Sequence, residues 1–428
     1  MTNSKVLAIF GGVPAVKTPF IKYSSLDVSD EVEVLRVLKS GNLSQFIGDS
    51  GEFFLGGPEV QNFEKSFAEL FQVNHAVSVN SWTSGLWAAI GALSIEPGSE
   101  VITSPWTMAA TATTILHWNA VPVFADIEPT TFNLDVNSVE FYITSRTRAI
   151  VSPDIFGQSA DIESLQNVCK KHGLYLISDT AQSPLATRNG YFAGTSSDIG
   201  GFSFNYHKHI QTGEGGMLVS NNPELADRLQ LLRNHGEVAL AKRKTNSRMY
   251  GILGMNLRLG EIESALGTNQ LKKLNHAVES RRRSADRLTA GIQNLSGLSV
   301  PYLEKGNSHV YYIYGITIDP KILGVSRENI IKALIAEGVP GLLSGYCNLH
   351  KLPLFSEQLT YKNNPLPYSL LPKKRSKELK MQKLAVAEEL HNSTFIGIKW
   401  CEFEYSNNEV DELIEAFCKV WSNLELLR

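Results

Sequence analysis

Residues 75–93 read HAVSVNSWTSGLWAAIGAL, and the order of residue types in this stretch decides the fold. His75 to Val79 is a short strand-like run. Asn80-Ser81-Trp82-Thr83-Ser84-Gly85 is a polar turn, and Leu86 to Leu93 resumes as a helix. Strand, polar turn and helix together leave free N–H groups at a helix N-terminus, which suits a phosphate. An ordinary N-cap by Ser81 or Thr83 explains the same residues, and on this stretch alone the two readings stand level.

The pattern extends in both directions. Upstream, residues 59–71 place Val60, Phe63, Phe67 and Leu70 on one helical face. Downstream, Glu100 to Ile102 is a strand, Thr107 to Leu116 a helix, and Val121 to Phe124 a strand that ends at Asp126. Arg148 to Ser152 is a strand and Ile162 to His172 a helix. Leu174 to Ile177 is a strand leading to Asp179. Strands alternating with helices predict an α/β domain around a mostly parallel sheet, with its ligand beyond the carboxyl ends of the strands. Thr83, Trp106, Asp179 and Lys208 all follow apolar runs, so one crevice can gather them.

From 257 to 295 the chain is rich in Leu, Ala, Glu, Lys and Arg and predicts one or two long helices. After Pro301 its character changes. Val310 to Ile318 is a strand, Arg327 to Glu337 a helix, and Asn408 to Leu424 an amphipathic closing helix. Residues 355–380, rich in Pro, Lys and Ser, predict an irregular loop. The expected division is a large domain over 1–284, including the N-terminal segment, and a smaller C-terminal α/β domain over 285–428.

A chain of 428 residues is long enough for roughly two to three domains. Its 43% hydrophobic and 19% charged residues place it among globular proteins. A net charge of −3 gives neither nucleic acid nor an anionic membrane a reason to bind. The basic clusters Arg281-Arg282-Arg283 and Lys373-Lys374-Arg375 are short and suit solvated faces. After Met1 to Lys5, the apolar run Val6 to Phe10 is too short for a secretory signal. No stretch approaches the roughly 18 apolar residues of a spanning helix, so a cytoplasmic protein is expected. Cys169, Cys347, Cys401 and Cys418 form no CxxC pair, and no metal site is expected.

The stretch richest in chemistry is 201–218, GFSFNYHKHIQTGEGGML. Phe202-Ser203-Phe204 is strand-like, Lys208 lies in a polar loop, and Gly213 to Gly216 precede the strand Met217-Leu218-Val219. A lysine on a loop is ordinarily just solvated, and a GEGG run alone suits a hairpin turn. Asp179, in Ile177-Ser178-Asp179-Thr180-Ala181-Gln182, ends a buried-looking strand, where an aspartate commonly caps a helix. Their joint occurrence on one α/β domain carries more. Pyridoxal phosphate needs a lysine, an acid beside its ring nitrogen, donors for its phosphate and a side chain against its ring.

With GGPEVQNFEKSFAELF, NSWTSGLWAAIGAL, EVITSPWTMAATA, AVPVFADIEPTTFNLD, ISDTAQS, FSFNYHKHIQTGEGGM, LRNHG and GMNLRLGEIESALG in this order, the chain resembles the DegT/DnrJ/EryC1/StrS sugar aminotransferases. These have the fold type I architecture of pyridoxal-phosphate enzymes. The resemblance runs from about Phe46 to Glu263 and more loosely to the C-terminus. It implies pyridoxal 5'-phosphate as cofactor and Lys208, five residues before Gly213, as the Schiff-base lysine. Asp179 matches the carboxylate at the pyridine nitrogen, and Gln182 the residue beside the phenolic oxygen. Thr83 and Ser84 match the phosphate turn, and Ser203 a hydroxyl on the phosphate. Asn256 matches an asparagine that reaches the phosphate of a neighbouring subunit, which implies a homodimer with shared active sites.

Three positions depart from the family pattern. Met108 stands where an aromatic usually faces the ring, so either Met108 or Trp106 is expected to cover it. Trp82 replaces a frequent glycine and is expected at the pocket mouth. Asp154 stands where histidine is common. His235 and His350 are further candidates for substrate contact, His235 being equally a helix-end residue. The implied reaction moves an amino group from glutamate or glutamine to a keto sugar, nucleotide-linked, or to a keto-cyclitol. A sugar dehydratase, an aminohydroxybenzoate-type synthase and a silent sugar-nucleotide-binding relative are the competing readings. Some relatives are dehydratases with histidine in the lysine's place. Here the count to Gly213 gives that place to Lys208, not to His207 or His209, which favours transamination. Intact Lys208 and Asp179 argue against silence.

Overall fold

The computed structural model describes residues 6–48, 51–236, 252–362 and 364–428, so residues 1–5 of the N-terminal reading lie outside it. The strands in chain order are β1 (His75–Val79), β2 (Glu100–Thr103), β3 (Val121–Phe124), β4 (Thr147–Pro153) and β5 (Tyr175–Asp179). A short ribbon, β6 (Thr187–Arg188) and β7 (Tyr191–Phe192), precedes β8 (Ile199–Ser203) and β9 (Gly216–Ser220). Apart from the ribbon they form one sheet in the order β1-β9-β8-β5-β4-β2-β3. The pairs β2–β3, β2–β4, β4–β5 and β5–β8 are parallel, and β9 runs antiparallel to both its neighbours. The sheet is therefore mostly parallel, as the alternation of strand and helix patterns predicts.

Helices cover both faces. They are α1 (Val28–Ser40), α2 (Pro58–Phe71), α3 (Trp82–Ala92), α4 (Ala109–His117), α5 (Val136–Tyr142), α6 (Ile162–His172), α7 (Pro223–Arg233) and α8 (Glu261–Ile292). Because a strand's side chains alternate, β9 serves two cores at once. Leu218 packs with Leu86 and Ile90 of α3. Met217 and Val219 face Phe63 and Phe67 of α2 and Leu274 and Val278 of α8. Burial on both faces is why these strands read as nearly unbroken apolar runs. The helix ends follow local chemistry: the Asp161 carboxylate accepts the Ser164 N–H at the start of α6, and Gly173 ends it at φ 65°.

A second sheet is antiparallel, ordered β10-β11-β13-β12, from β10 (Leu298–Ser299), β11 (Tyr314–Ile318), β12 (Leu342–Ser344) and β13 (Phe395–Ile398). The helices Arg327–Ala336 and Asn407–Trp421 bury Ile330, Leu334, Leu413 and Phe417 against it. Leu7 and Ala15 join that same core, so the N-terminal segment packs with the C-terminal unit in space. Residues 284 and 285 fall inside α8. Its Leu271, Leu274 and Val278 belong to the large sheet's core, and Ala285, Leu288 and Ile292 to the small one's.

Two expectations are corrected. The strand expected from Val310 begins only at Tyr314. Tyr311 takes φ 51°, and the N–H groups of Val310 and Ile313 donate to the carbonyls of Gly157 and Phe156 instead of a sheet. Residues 355–380 are not an irregular loop. They contain a turn of 3-10 helix, Tyr368–Leu370, and a helix, Lys373–Lys380. Phe355, Tyr368, Leu371 and Leu379 are buried in the core shared with Phe124. Arg375 donates to both oxygens of the buried Glu100 carboxylate at 2.7 and 3.0 Å.

Candidate active site

The carboxyl ends of β4, β5 and β8 and the start of α3 converge on one cavity of about 150 Å³. β5 ends in Asp179 and β8 in Ser203. The chain then forms a loop in which Lys208 N–H donates to the Asn205 carbonyl at 2.9 Å, before Gly213 at φ 79° turns it back towards β9. The cavity is lined by Trp82, Thr83, Met108, Asp179, Gln182, Ser203 and Lys208, together with Tyr312 and Tyr346 of the C-terminal unit. It shares Thr107, Met108, His207, Tyr312 and Tyr346 with a wider crevice of about 1190 Å³.

The Asp179 carboxylate is buried and firmly held. Its Oδ1 accepts the Trp82 indole N–H at 2.6 Å and the Ala181 N–H at 3.3 Å, and its Oδ2 accepts the Thr111 hydroxyl at 2.8 Å. Burial raises its proton affinity against those donors. A carboxylate offers about four acceptor sites, so one remains on Oδ2 for an incoming donor. The Lys208 Nζ sits over the Tyr312 ring, 4.3 Å from its centroid. Burial lowers its pKa from 10.5 to about 8, against the pull of Asp179. His207 beside it is pushed down to about 4 by burial and by Lys208.

At the phosphate end, α3 begins at Trp82 with Ser81 as N-cap. The Ser81 hydroxyl accepts the Ser84 N–H at 3.1 Å, so the turn is capped in the ordinary way and still directs a helix N-terminus to the cavity. Thr83 and Ser203 line the cavity, whereas Ser84 is turned to Ser81 Oγ at 3.0 Å and does not. The Gln182 Oε1 accepts the Phe156 N–H at 2.9 Å, which fixes its amide at the wall. A lysine, a carboxylate with one free acceptor direction, a helix N-terminus and two hydroxyls suit a phosphorylated pyridine aldehyde.

Several candidates sit elsewhere than expected. Trp82 is not at the mouth: it is buried in the cavity wall, with its indole N–H on Asp179. Trp106 does not cover the ring site. It is fully buried among Phe132, Phe156 and Phe395, and its indole N–H donates to Asn348 Oδ1 at 2.9 Å. Its backbone N–H is held by Ser104 Oγ in a tight turn before α4, and that turn aims it inward. Met108, 68% exposed, is left at the lip of both cavities. The Asp154 carboxylate accepts the Ala160 N–H at 2.8 Å and the Thr180 hydroxyl at 2.6 Å, so it braces the wall. Burial raises its pKa to about 7. His350 is buried behind the crevice, its Nε2 3.1 Å from Glu388 Oε1, and it is Glu388 that lines the space. His235, exposed at φ 65° after α7, and Asn256, also exposed, line neither cavity. Sequence reading missed Tyr312 and Tyr346. Tyr312 was hidden in an apparent strand, and nothing around Tyr346 marks it.

A parallel sheet with a lysine loop and a strand-end carboxylate at its carboxyl edge defines the fold type I class of pyridoxal-phosphate enzymes. The aminotransferase from Psychrobacter cryohalolentis superposes with a TM-score of 0.80 at 27% identity, covering 95% of this chain and 100% of that one. Helicobacter pylori PseC, an aminotransferase involved in the biosynthesis of pseudoaminic acid, gives 0.77 at 27% identity, with 95% and 100% covered. The Bacillus subtilis spore coat polysaccharide biosynthesis protein SpsC is 36% identical over 84% of this chain and 92% of its own length. Residues 42–390 match the sequence pattern of the DegT/DnrJ/EryC1/StrS aminotransferase family, and the chain belongs to that family.

Proposed function

We propose that this aminotransferase takes an amino group from glutamate or glutamine and delivers it to the ketone carbon of a sugar, nucleotide-linked, or of a cyclitol. A putative L-glutamine:3-amino-2,3-dideoxy-scyllo-inosose aminotransferase of Streptoalloteichus tenebrarius is 31% identical over 99% of both chains. A GDP-perosamine synthase of Vibrio cholerae is 33% identical over 74% of this chain and 84% of its own length. These relatives support both acceptor classes. The observation that carries the reading is the meeting of Lys208, Asp179 and the α3 N-terminus around one small cavity beside a much larger crevice.

Lys208 would hold pyridoxal 5'-phosphate, with Thr83 and Ser203 at its phosphate, Asp179 at its ring nitrogen, Gln182 at its phenolic oxygen and Met108 on its face. When bound, the cofactor supplies an electron sink for the carbon that loses or gains a proton. The protein does the rest. Asp179 would hold a proton on the ring nitrogen. Lys208 would also carry the substrate proton, and a pKa near 8 leaves part of it neutral for that work. The tyrosine-walled crevice beside it receives the donor and then the acceptor.

The same reading makes the protein a cytoplasmic homodimer. Among the described residues no helix is long and apolar enough to cross a membrane. Val28, Val32 and Leu35 form an exposed apolar stripe on α1, and Leu253 and Met255 are exposed beside Asn256. A second copy covering this surface would let Asn256 reach the phosphate end of the partner subunit's cavity. The two separate sheets support a large unit and a smaller C-terminal one, with the N-terminal segment docked on the smaller unit's core and the expected 284/285 boundary falling within α8.

The test is spectroscopic. Purified protein loaded with pyridoxal phosphate is yellow, loses the colour with glutamate or glutamine, and regains it with the right keto acceptor. Lys208→Ala with added cofactor should lack the wild-type band. Identical spectra, or ketone formation without consumption of an amino acid, would overturn the proposal.

A further inference from the structure

We infer that Trp82 is a positioning residue for Asp179: its indole N–H, aimed along the wall of the cavity, sets the direction in which the carboxylate faces the ring nitrogen of the cofactor. The inference rests on the cofactor reading above and adds a residue to which that reading gives no role. Its basis is geometric. The 2.6 Å bond from Trp82 Nε1 to Asp179 Oδ1 is a buried, charge-assisted contact, and Thr111 holds the other oxygen at 2.8 Å. With Trp82 and Ala181 donating to Oδ1 and Thr111 to Oδ2, the carboxylate cannot rotate about its Cβ–Cγ bond without breaking these bonds.

The sequence around the indole is cut to receive it. A Cβ on Gly201 of β8 would lie 1.8 Å from the Trp82 ring, and one on Gly85 of α3 would lie 2.5 Å from it. Gly216 of β9 passes the Trp82 backbone so closely that a Cβ there would be 2.7 Å from its nitrogen. Gly201 and Gly85 thus leave room for the ring, and Gly216 lets β9 pass close to its backbone, while the indole N–H reaches Asp179. Among the described residues, the titratable groups facing Asp179 are Lys208 from the loop after β8, Asp154 just after β4 and Tyr346 after β12. Lys208 is the one cation among these groups. The Trp82 indole, the Thr111 hydroxyl and the Ala181 N–H are the donors that favour the ionised form of Asp179.

The test separates orientation from packing. In cofactor-free protein labelled with ¹⁵N-tryptophan, six indole N–H resonances are expected from six tryptophans. The Trp82 resonance should lie at low field and move upfield in Asp179→Asn. In the loaded enzyme, Trp82→Phe keeps an aromatic ring at this position and removes the indole N–H together with part of the ring system. It should lower kcat about tenfold, the size of a lost hydrogen bond to a charge, with KM for the amino donor within about twofold of wild type. Thr111→Val should act in the same direction, and the double variant should lose less than the product of the two. An indole spectrum unmoved by Asp179→Asn, or wild-type kcat in Trp82→Phe, would overturn the inference. If Trp82→Phe does not fold, the indole spectrum decides alone. Failure of pyridoxal phosphate to bind while the indole shift is present would sink the cofactor reading and leave the Trp82–Asp179 contact standing.

Discussion

Lys208 is held in a place that costs the fold something. Its folded pKa of about 8 lies below the ordinary 10.5, so between these values the unfolded chain binds more protons than the native one. Stability therefore rises with pH across that window, and the penalty is fully present below about pH 8. In cofactor-free protein, Lys208→Met should be more stable than wild type at pH 7, and the gain should vanish above about pH 10.5. Denaturant melts of both proteins at pH 7 and pH 10.5 measure it, and a constant difference would refute the assignment. Asp154 works the other way. Its folded pKa near 7 lies above the ordinary 3.8, so its ionised form weakens the fold as pH rises through 7. Asp154→Asn, which can still accept from Ala160, should match or exceed wild-type stability at pH 8. At this scale the sequence was legible where a residue ends a strand or opens the next helix: Asp179 and Ser203 end β5 and β8, and Thr83 lies in the first turn of α3. Trp106 was not legible. It stands two residues from Met108, but whether it points to the cavity or the core depends on the Ser104 turn, which no spacing reveals. Tyr312 and Tyr346 come from far along the chain, and their approach to Lys208 is a product of tertiary packing.

Among elements, α2 and the segment 355–380 teach opposite lessons. The apolar stripe of α2 was plain in the sequence, and Phe67 is buried by it, stacked on Phe71 at 4.4 Å and edge-on to Phe202 at 5.0 Å. Phe67→Ala should cost roughly 3–5 kcal/mol in denaturant unfolding. In 355–380 the prolines and lysines masked four well-spaced core residues, because composition averages out the few positions that pack. The element-scale test is its ion pair. Glu100 is fully buried, so Arg375→Met strands a carboxylate in the core and should destabilise by roughly 3–5 kcal/mol. Because none of the described residues of 355–380 lines the crevice, the acceptor preference of that variant should be unchanged.

For the whole molecule, the proposed homodimer makes the strongest demand. Val32→Asp with Leu35→Asp places two charges in the exposed α1 stripe and should yield monomers in sedimentation velocity. If Asn256 serves the partner subunit, those monomers should also bind pyridoxal phosphate more weakly. Dimeric, fully active protein carrying both substitutions would exclude this face as the interface. The α/β class and the mostly parallel sheet were legible because strand and helix periods alternate cleanly up to β5. The lone antiparallel β9 and the return of the N-terminal segment to the C-terminal core were not. Both depend on which surfaces are left to cover after the main sheet has formed.

The helix α8 carries a consequence for how such a chain can be rebuilt. At 32 residues it is a rod about 48 Å long, rooted at one end among Leu274 and Val278 and at the other among Leu288 and Ile292. A graft that exchanges the C-terminal unit between relatives must splice through the middle of that rod. The spliced helix has to keep its rotational phase across Ala277 to Ala285, since one inserted residue would turn its far face by about 100°. Recombined chains should therefore succeed or fail with the register of this one helix, whatever their active-site residues.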